Sequence, residues 1–335
     1  GRLLQESALY VLASNISACD EVWVVSRGAG ENLRSIGYKG DYHVMENGVD
    51  MPRGRVSEEA VAAATAGYDL PEGVPVFMFV GRMMWYKGLR IIVDALKLLQ
   101  AGGQDFRMVF IGGGADAAEV QEYAKPLGNK CIFTGAISQR ETLRAWYCRA
   151  DLFLFPSTYD TNGLVVREAA ASDLAAVLIQ GSCAAEGVTD GVDGFLIEEN
   201  AGAMASKLQE ICKHPECMAQ VGRQAGERLY LSWGDAVKRA RERYGVVMEN
   251  YRMGRYEDHH KPMDGVLNAQ GTMMDALARV RDLGDGLAER YREGWEEHKE
   301  EFEERREERR GERRSIRLEL KQKGEALWQK LDRYV

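Results

Sequence analysis

"VPVFMFVG" (74–81), then "RMMWYKG" (82–88), then "LRIIVDALKLLQAGG" (89–103) decides how this chain is read. The first piece is an almost unbroken apolar run, too short for a core helix and rich in β-formers. It reads as a strand buried on both faces. The last piece reads as a helix closed by its two glycines. A buried strand feeding a crossover helix through a short loop is the unit of a parallel sheet.

Outward from it the unit repeats. "FRMVFIGGG" (106–114) reads as a strand and "ADAAEVQEYAKPLG" (115–128) as a helix. "CIFTG" (131–135), "DLFLFPS" (151–157), "AAVLIQ" (175–180) and "GFLIEE" (194–199) read as further strands. "RETLRAWYCRA" (140–150) and a segment opening near Leu164 read as helices. The run from Ala203 to about Lys213 reads as the last helix of this unit. Upstream, residues 1–18 form a helical pattern through Leu3, Leu4, Leu9, Val11 and Leu12. "EVWVVS" (21–26) reads as a strand, "GAGENLRSIGY" (28–38) as a helix and "DYHVMENGVD" (41–50) as a strand ending in an Asn-Gly turn. The predicted fold class is α/β, a doubly wound parallel sheet. Ligands on such sheets bind at the carboxyl ends of the strands. The glycines at 81, 112–114, 135 and 163 fall at those ends, as close approach of a ligand to backbone would require.

The 335 residues suffice for one large or two ordinary domains. A net charge of -8 gives no reason to expect nucleic acid as a partner. The six cysteines are scattered without C-x-x-C pairs, and Cys131, Cys148 and Cys212 read as buried thiols, which points to a reducing cytoplasm. No apolar run reaches the roughly 18 residues that span a bilayer. The histidines have no metal-ligand spacing. The chain starts at Gly1 in what reads as mid-helix, so we expect a piece of a longer protein. After about residue 255 it becomes dense in Glu, Arg and Lys, with a thin apolar stripe through Leu287, Tyr291, Trp295, Phe302, Ile316, Leu320, Leu327 and Leu331. That stripe predicts a long helix or helix pair, either solvated or associating with another helix.

Two stretches carry chemistry. In "STYDTNGLVVREAA" (157–170) a turn at Asp160, Asn162 and Gly163 opens a helix at Leu164. Its free amides make an anion site suited to phosphate. Glu168, one turn further in, can accept both hydroxyls of a ribose diol, and Asp160 is placed for other hydroxyls. In "FVGRMMWYKG" (79–88), Arg82 and Lys87 follow a strand end and suit a diphosphate. No Asp-x-Asp occurs, so these cations are expected to supply the charge a divalent metal would otherwise bring.

These residues resemble the nucleotide-sugar domain of the retaining glycosyltransferases with the GT-B fold (family 4 type). "FVGRMMWYKGLRIIVDALKLL", "FIGGG", "IFTGAI", "ADLFLFPS", "DTNGLVVREAAAS" and "GVTDGVDGFLIEE" match its segments in order, over roughly residues 20–250. The resemblance implies that Gly81, Arg82 and Lys87 bind the donor diphosphate and Glu168 the ribose. Asp160, with backbone at Asn162, Gly163 and Leu164, would meet donor sugar and phosphates. Backbone at Ala136 and Ile137 would lie against the base. Arg82, Lys87 and Asp160 are the expected catalytic set, with no cofactor and no metal. Glu186 and the loop 181–187 would stand by the donor sugar. The resemblance also implies that 1–50 is the incomplete end of an acceptor-side domain, 51–235 the donor domain, 236–255 a returning helix and 256–335 a charged helical tail.

The reaction implied is transfer of a sugar from a UDP- or GDP-linked donor to a hydroxyl of a sugar or lipid, with retention. The expected place is the cytoplasm, with peripheral contact at the inner membrane face. Such a piece of the enzyme is expected to bind nucleotide sugar but to turn over poorly or not at all. This sequence departs from the pattern at Asp160, where Glu is usual, and at Asp173 and Ala175, where Gly and Pro are usual. These departures keep open a nucleotide-sugar-binding module without catalysis. The tail keeps open an assembly protein that works, or self-associates, through its helix.

Overall fold

The computed structural model describes residues 2–256 and the short stretches 271–276 and 278–279, with side chains from Ala8 onward. Residues 1–257 form one compact unit and 258–335 a second. The charged stripe from Leu287 to Leu331 lies outside the described residues.

The chain runs α1 (Arg2–Ser17), β1 (Trp23–Val24), α2 (Arg27–Ser35), β2 (His43–Val44), α3 (Glu58–Thr65), β3 (Val76–Val80) and α4 (Leu89–Ala101). It continues β4 (Arg107–Ile111), α5 (Ala117–Ala124), β5 (Cys131–Gly135), α6 (Arg140–Arg149), β6 (Leu152–Phe155) and α7 (Leu164–Ala171). It ends β7 (Ala176–Ile179), β8 (Phe195–Ile197), α8 (Ala201–Cys212), α9 (Pro215–Arg228) and α10 (Trp233–Arg252).

Six strands form one parallel sheet in the order β5-β4-β3-β6-β7-β8. Every residue of β3, β4, β6 and β7 is buried, as continuous apolar runs require when helices cover both faces. Stacked rings knit neighbouring strands, Phe77 on Phe106 and Phe110 on Phe133. Each fully buried side chain of this kind contributes about 1.5–3 kcal/mol. The chain builds outward from β3 to β5, then returns to β6 and builds the other way. The order therefore reverses between β3 and β6, whose registers join Phe77 to Leu152 and Met78 to Phe153. That reversal leaves a crevice at the carboxyl ends.

Three expectations need correction. Residues 21–26 and 41–50 pair over only two residues each, Trp23 with His43 and Val24 with Val44, because these strands have only each other as ladder partners. Val49 bridges Ser232 instead. Second, 203–213 is not the last helix of the unit. Helix α9 follows with Pro215 in its first turn, and α10 opens on Ser232, whose hydroxyl accepts from Asp235 N. Helix α3, capped by Ser57, was also not anticipated. Third, glycine at some of these strand ends serves loop-to-loop contact, at Gly112 and Gly114, whereas a Cβ on Gly113 or Gly135 would meet nothing within 4 Å. A Cβ on Gly112 would lie 2.0 Å from Gly81 O, and one on Gly88 would lie 2.0 Å from Pro156 O. The loops after β3, β4 and β6 thus press backbone on backbone.

Candidate active site

The loops after β3 and β6 stand side by side because their strands do. In the first, a single turn of 3-10 helix (Trp85–Lys87) ends at Gly88, and Asp116 accepts Trp85 N at 2.8 Å, fixing the loop. Lys87 therefore points across to the second loop. Its Nζ lies 2.6 Å from Asp160 Oδ2, with 12% and 23% of the two side chains exposed. Arg82, at the start of the same loop, is exposed. The structure thus joins Lys87 and Asp160 directly.

The second loop enters α7 at Gly163, and no side chain caps this helix start. Its amides remain oriented at the crevice. The Asn162 amide donates to Val25 O at 2.7 Å, so the turn is anchored to the segment before α2. One turn into α7, Glu168 accepts from the Tyr147 hydroxyl at 3.0 Å. Burial raises the Glu168 carboxyl above its usual range, opposed by that hydrogen bond and by the charge of Arg140. Burial, with the Glu168 charge beside it, also pushes the Tyr147 phenol well up, so it stays a donor. Tyr147 was not anticipated. It lies on α6, and nothing in its own sequence pattern indicates which neighbour its hydroxyl meets.

Ala136 and Ile137 follow β5, exposed and half-buried respectively. Glu186 lines a small cavity together with Asn162 and Gly163, beside the start of α7. Its carboxylate accepts Arg27 N at 2.7 Å and Gly28 N at 2.6 Å, capping the start of α2. Asp173 and Ala175 precede β7, at the amino ends of the strands, away from this crevice. A cavity of about 740 Å³ opens at that opposite end, lined by Arg55, Glu72, Cys148, Asp151 and Arg223 among others. Parallel sheets place their ligands at the other end. Among the described residues, no group of three or more His, Cys, Asp or Glu could hold a metal ion. Among them, too, no helix is long and apolar enough to cross a membrane.

Residues 74–214 match the family described as glycosyl transferases group 1. That span begins just before β3 and ends just after α8, so it contains the whole six-stranded sheet and both loops. Through this sheet the chain resembles glycosyltransferases of the GT-B fold. A D-inositol 3-phosphate glycosyltransferase from Streptomyces avermitilis is 27% identical over 235 residues, 66% of this chain and 50% of that one. A GDP-mannose-dependent alpha-mannosyltransferase from Corynebacterium glutamicum is 26% identical over 206 residues, 60% of this chain and 47% of that one. Among solved structures, sucrose-phosphate synthase from Thermosynechococcus elongatus superposes with a TM-score of 0.62 at 25% identity. It covers 73% of this chain and 62% of that one. The chain spans about half the length of the curated relatives it matches.

Proposed function

We propose that this protein transfers a glycosyl group from a nucleotide-diphosphate sugar to a hydroxyl, with retention and without a metal. The observation that carries the reading is the convergence at the β3/β6 reversal of Lys87, Asp160, the uncapped start of α7 and the half-buried Glu168. Arg82, Lys87 and the first amides of α7 hold the diphosphate. Glu168 accepts the ribose hydroxyls, and backbone at Ala136 and Ile137 meets a uracil or guanine base. Relatives named for GDP-mannose and for inositol phosphate acceptors support a nucleotide-sugar donor and a hydroxylated acceptor.

In the reaction the bond between the anomeric carbon and the diphosphate oxygen breaks, and its electron pair leaves with the diphosphate. Arg82 and Lys87 stabilise the charge that develops there. The acceptor oxygen bonds to the anomeric carbon on the same face, and its proton passes to the departing diphosphate. Asp160 is engaged by Lys87, which suits it to orienting sugar hydroxyls more than to forming a covalent intermediate. All six cysteines are free thiols, in keeping with a cytoplasmic place for this chemistry. An acceptor on a lipid would bring the protein to the inner membrane face.

Arg82→Ala and Lys87→Ala should each weaken nucleoside diphosphate binding about tenfold or more, the worth of hydrogen bonds to a charged group, and leave nucleoside binding nearly unchanged. Calorimetry with and without chelator reads both effects. Binding that appears only with magnesium or manganese would transfer the diphosphate's counter-charge to a metal and overturn the metal-independent reading.

A further inference from the structure

Tyr86 and Tyr159 have no part in the roles assigned above, yet each immediately precedes one member of the Lys87–Asp160 pair. Their rings meet edge to face, with centroids 5.9 Å apart and planes at 67°. Tyr159 is 78% exposed and Tyr86 39% exposed. Lys87 Nζ stands 5.5 Å from the Tyr86 ring centre, which ties that ring to the ion pair. Two loops from adjacent central strands therefore hold a joined aromatic surface out to solvent at the mouth of the crevice.

Leaving ring surface in water is unfavourable. The edge-to-face contact offsets only part of that. A contiguous exposed aromatic pair beside a charged site is the kind of surface that marks a ligand contact. The ligand it fits needs a flat apolar face for the tyrosines and polar groups at its edge for Asp160. A pyranose ring has both, with carbon-bound hydrogens on one face and hydroxyls around the rim. A nucleobase would also stack, but its expected position beyond β5 is two strands away from β3 in the sheet order.

We propose that Tyr86 and Tyr159 form a stacking platform for a pyranose ring whose hydroxyls reach Asp160. This rests on the glycosyltransferase reading and adds to it a subsite for the ring of the donor sugar or of the acceptor.

The experiment compares wild type with Tyr86→Ala, Tyr159→Ala and the control Tyr159→Phe. UDP, GDP, UDP-glucose and GDP-mannose are titrated by calorimetry. Methyl glucoside and methyl mannoside are then titrated onto protein saturated with the nucleoside diphosphate that binds. A donor-sugar platform predicts that each alanine variant loses about three- to tenfold in nucleotide-sugar affinity and nothing for the nucleoside diphosphate. An acceptor-sugar platform predicts the same loss for the methyl glycosides, with the nucleotide sugar unchanged. Tyr159→Phe should match wild type in both arms, since the ring supplies the contact. Unchanged affinity in both sugar arms overturns the platform while leaving the glycosyltransferase reading in place. An equal loss for the nucleoside diphosphate also overturns it, because the pair would then serve the nucleotide. If wild type binds neither nucleoside diphosphate, the functional reading fails and the platform with it.

Discussion

At the scale of single residues, burial and a hydrogen bond set the ionisation of Glu168, the proposed ribose-binding group. Its carboxylate is pushed toward the neutral form by burial and back toward the charged form by the Tyr147 hydroxyl. Only the ionised form accepts both hydroxyls of a diol. Nucleotide affinity should therefore fall as pH drops through a value above the ordinary carboxylate range. Tyr147→Phe keeps the ring and its packing but removes the opposing hydrogen bond, so the Glu168 pKa rises further. The same loss of affinity should then begin at a higher pH, with far-UV dichroism unchanged; an unshifted profile would mean that Tyr147 does not govern Glu168. Glu168→Ala should cost about 1.5–3 kcal/mol of binding at neutral pH. Glu168 was legible in the sequence because its position follows from a turn, a helix start and one helical turn. Tyr147 was not, because the contact joins residues 21 positions apart on different helices. The partners of Glu186 were not legible for the same reason, since Arg27 and Gly28 are 159 and 158 positions away.

At the scale of elements, the strands and their crossover helices were readable because continuous apolar runs and the glycines and proline bounding them are local signals. Helix α3 was missed although Ser57 marks its start, because only Val61 of it is buried, and α9 was missed although Pro215 marks its start and Met218, Val221 and Ala225 line its buried face. The short ladders at β1 and β2 could not be read locally, since ladder length depends on which partners are present. The end of α7 carries a testable strain. Asp173 has φ 56, the one positive value at a non-glycine among the described residues, just after the Ser172 cap. Its Oδ1 is buried without a hydrogen-bond partner. A left-handed non-glycine residue costs about 1–2 kcal/mol, less for Asp than for most, and glycine removes that cost while gaining freedom in the unfolded chain. Asp173→Gly should therefore stabilise the unit by about 0.5–1 kcal/mol, and Asp173→Ala should be less stable than the glycine variant. Urea midpoints at constant m-value measure both. A destabilised glycine variant would show that the Asp173 carboxylate makes a contact worth more than the strain.

At the scale of the 1–257 unit, α10 returns from the sheet to the β1/β2 pair, where Glu46 meets Arg239 at 3.5 Å and Glu21 makes the larger set of contacts. Glu21 accepts from Arg243 Nε at 2.8 Å and Nη2 at 2.6 Å, from Trp23 Nε1 at 3.1 Å and from the Tyr256 hydroxyl at 2.9 Å. Trp23 also packs on Tyr244, with ring centres 4.6 Å apart. Burial alone would raise the Glu21 pKa, but the hydrogen bonds from Arg243, Trp23 and Tyr256 outweigh it and bring it from 4.5 down to about 2. A carboxylate depressed in the folded state stabilises it above the unfolded pKa. That stability is lost as pH falls through the folded value, here between about pH 4.5 and pH 2. A shift of this size corresponds to at most about 3–4 kcal/mol. Other carboxylates titrate in the same window, so the measurement is a difference between two proteins. Wild type should lose more stability between pH 5 and pH 3 (roughly the span in which Glu21 protonates in the unfolded chain but not in the folded one) than Glu21→Gln, which has no charge to lose. At pH 7 the order should reverse in meaning, with Glu21→Gln the less stable because a bidentate, charge-assisted contact has been weakened. Arg243→Ala should show the same flattened acid limb, since the first of the groups lowering the Glu21 pKa is gone. Parallel acid limbs in all three proteins would show that the fork between Glu21 and Arg243 does not clasp α10 to the β1/β2 pair.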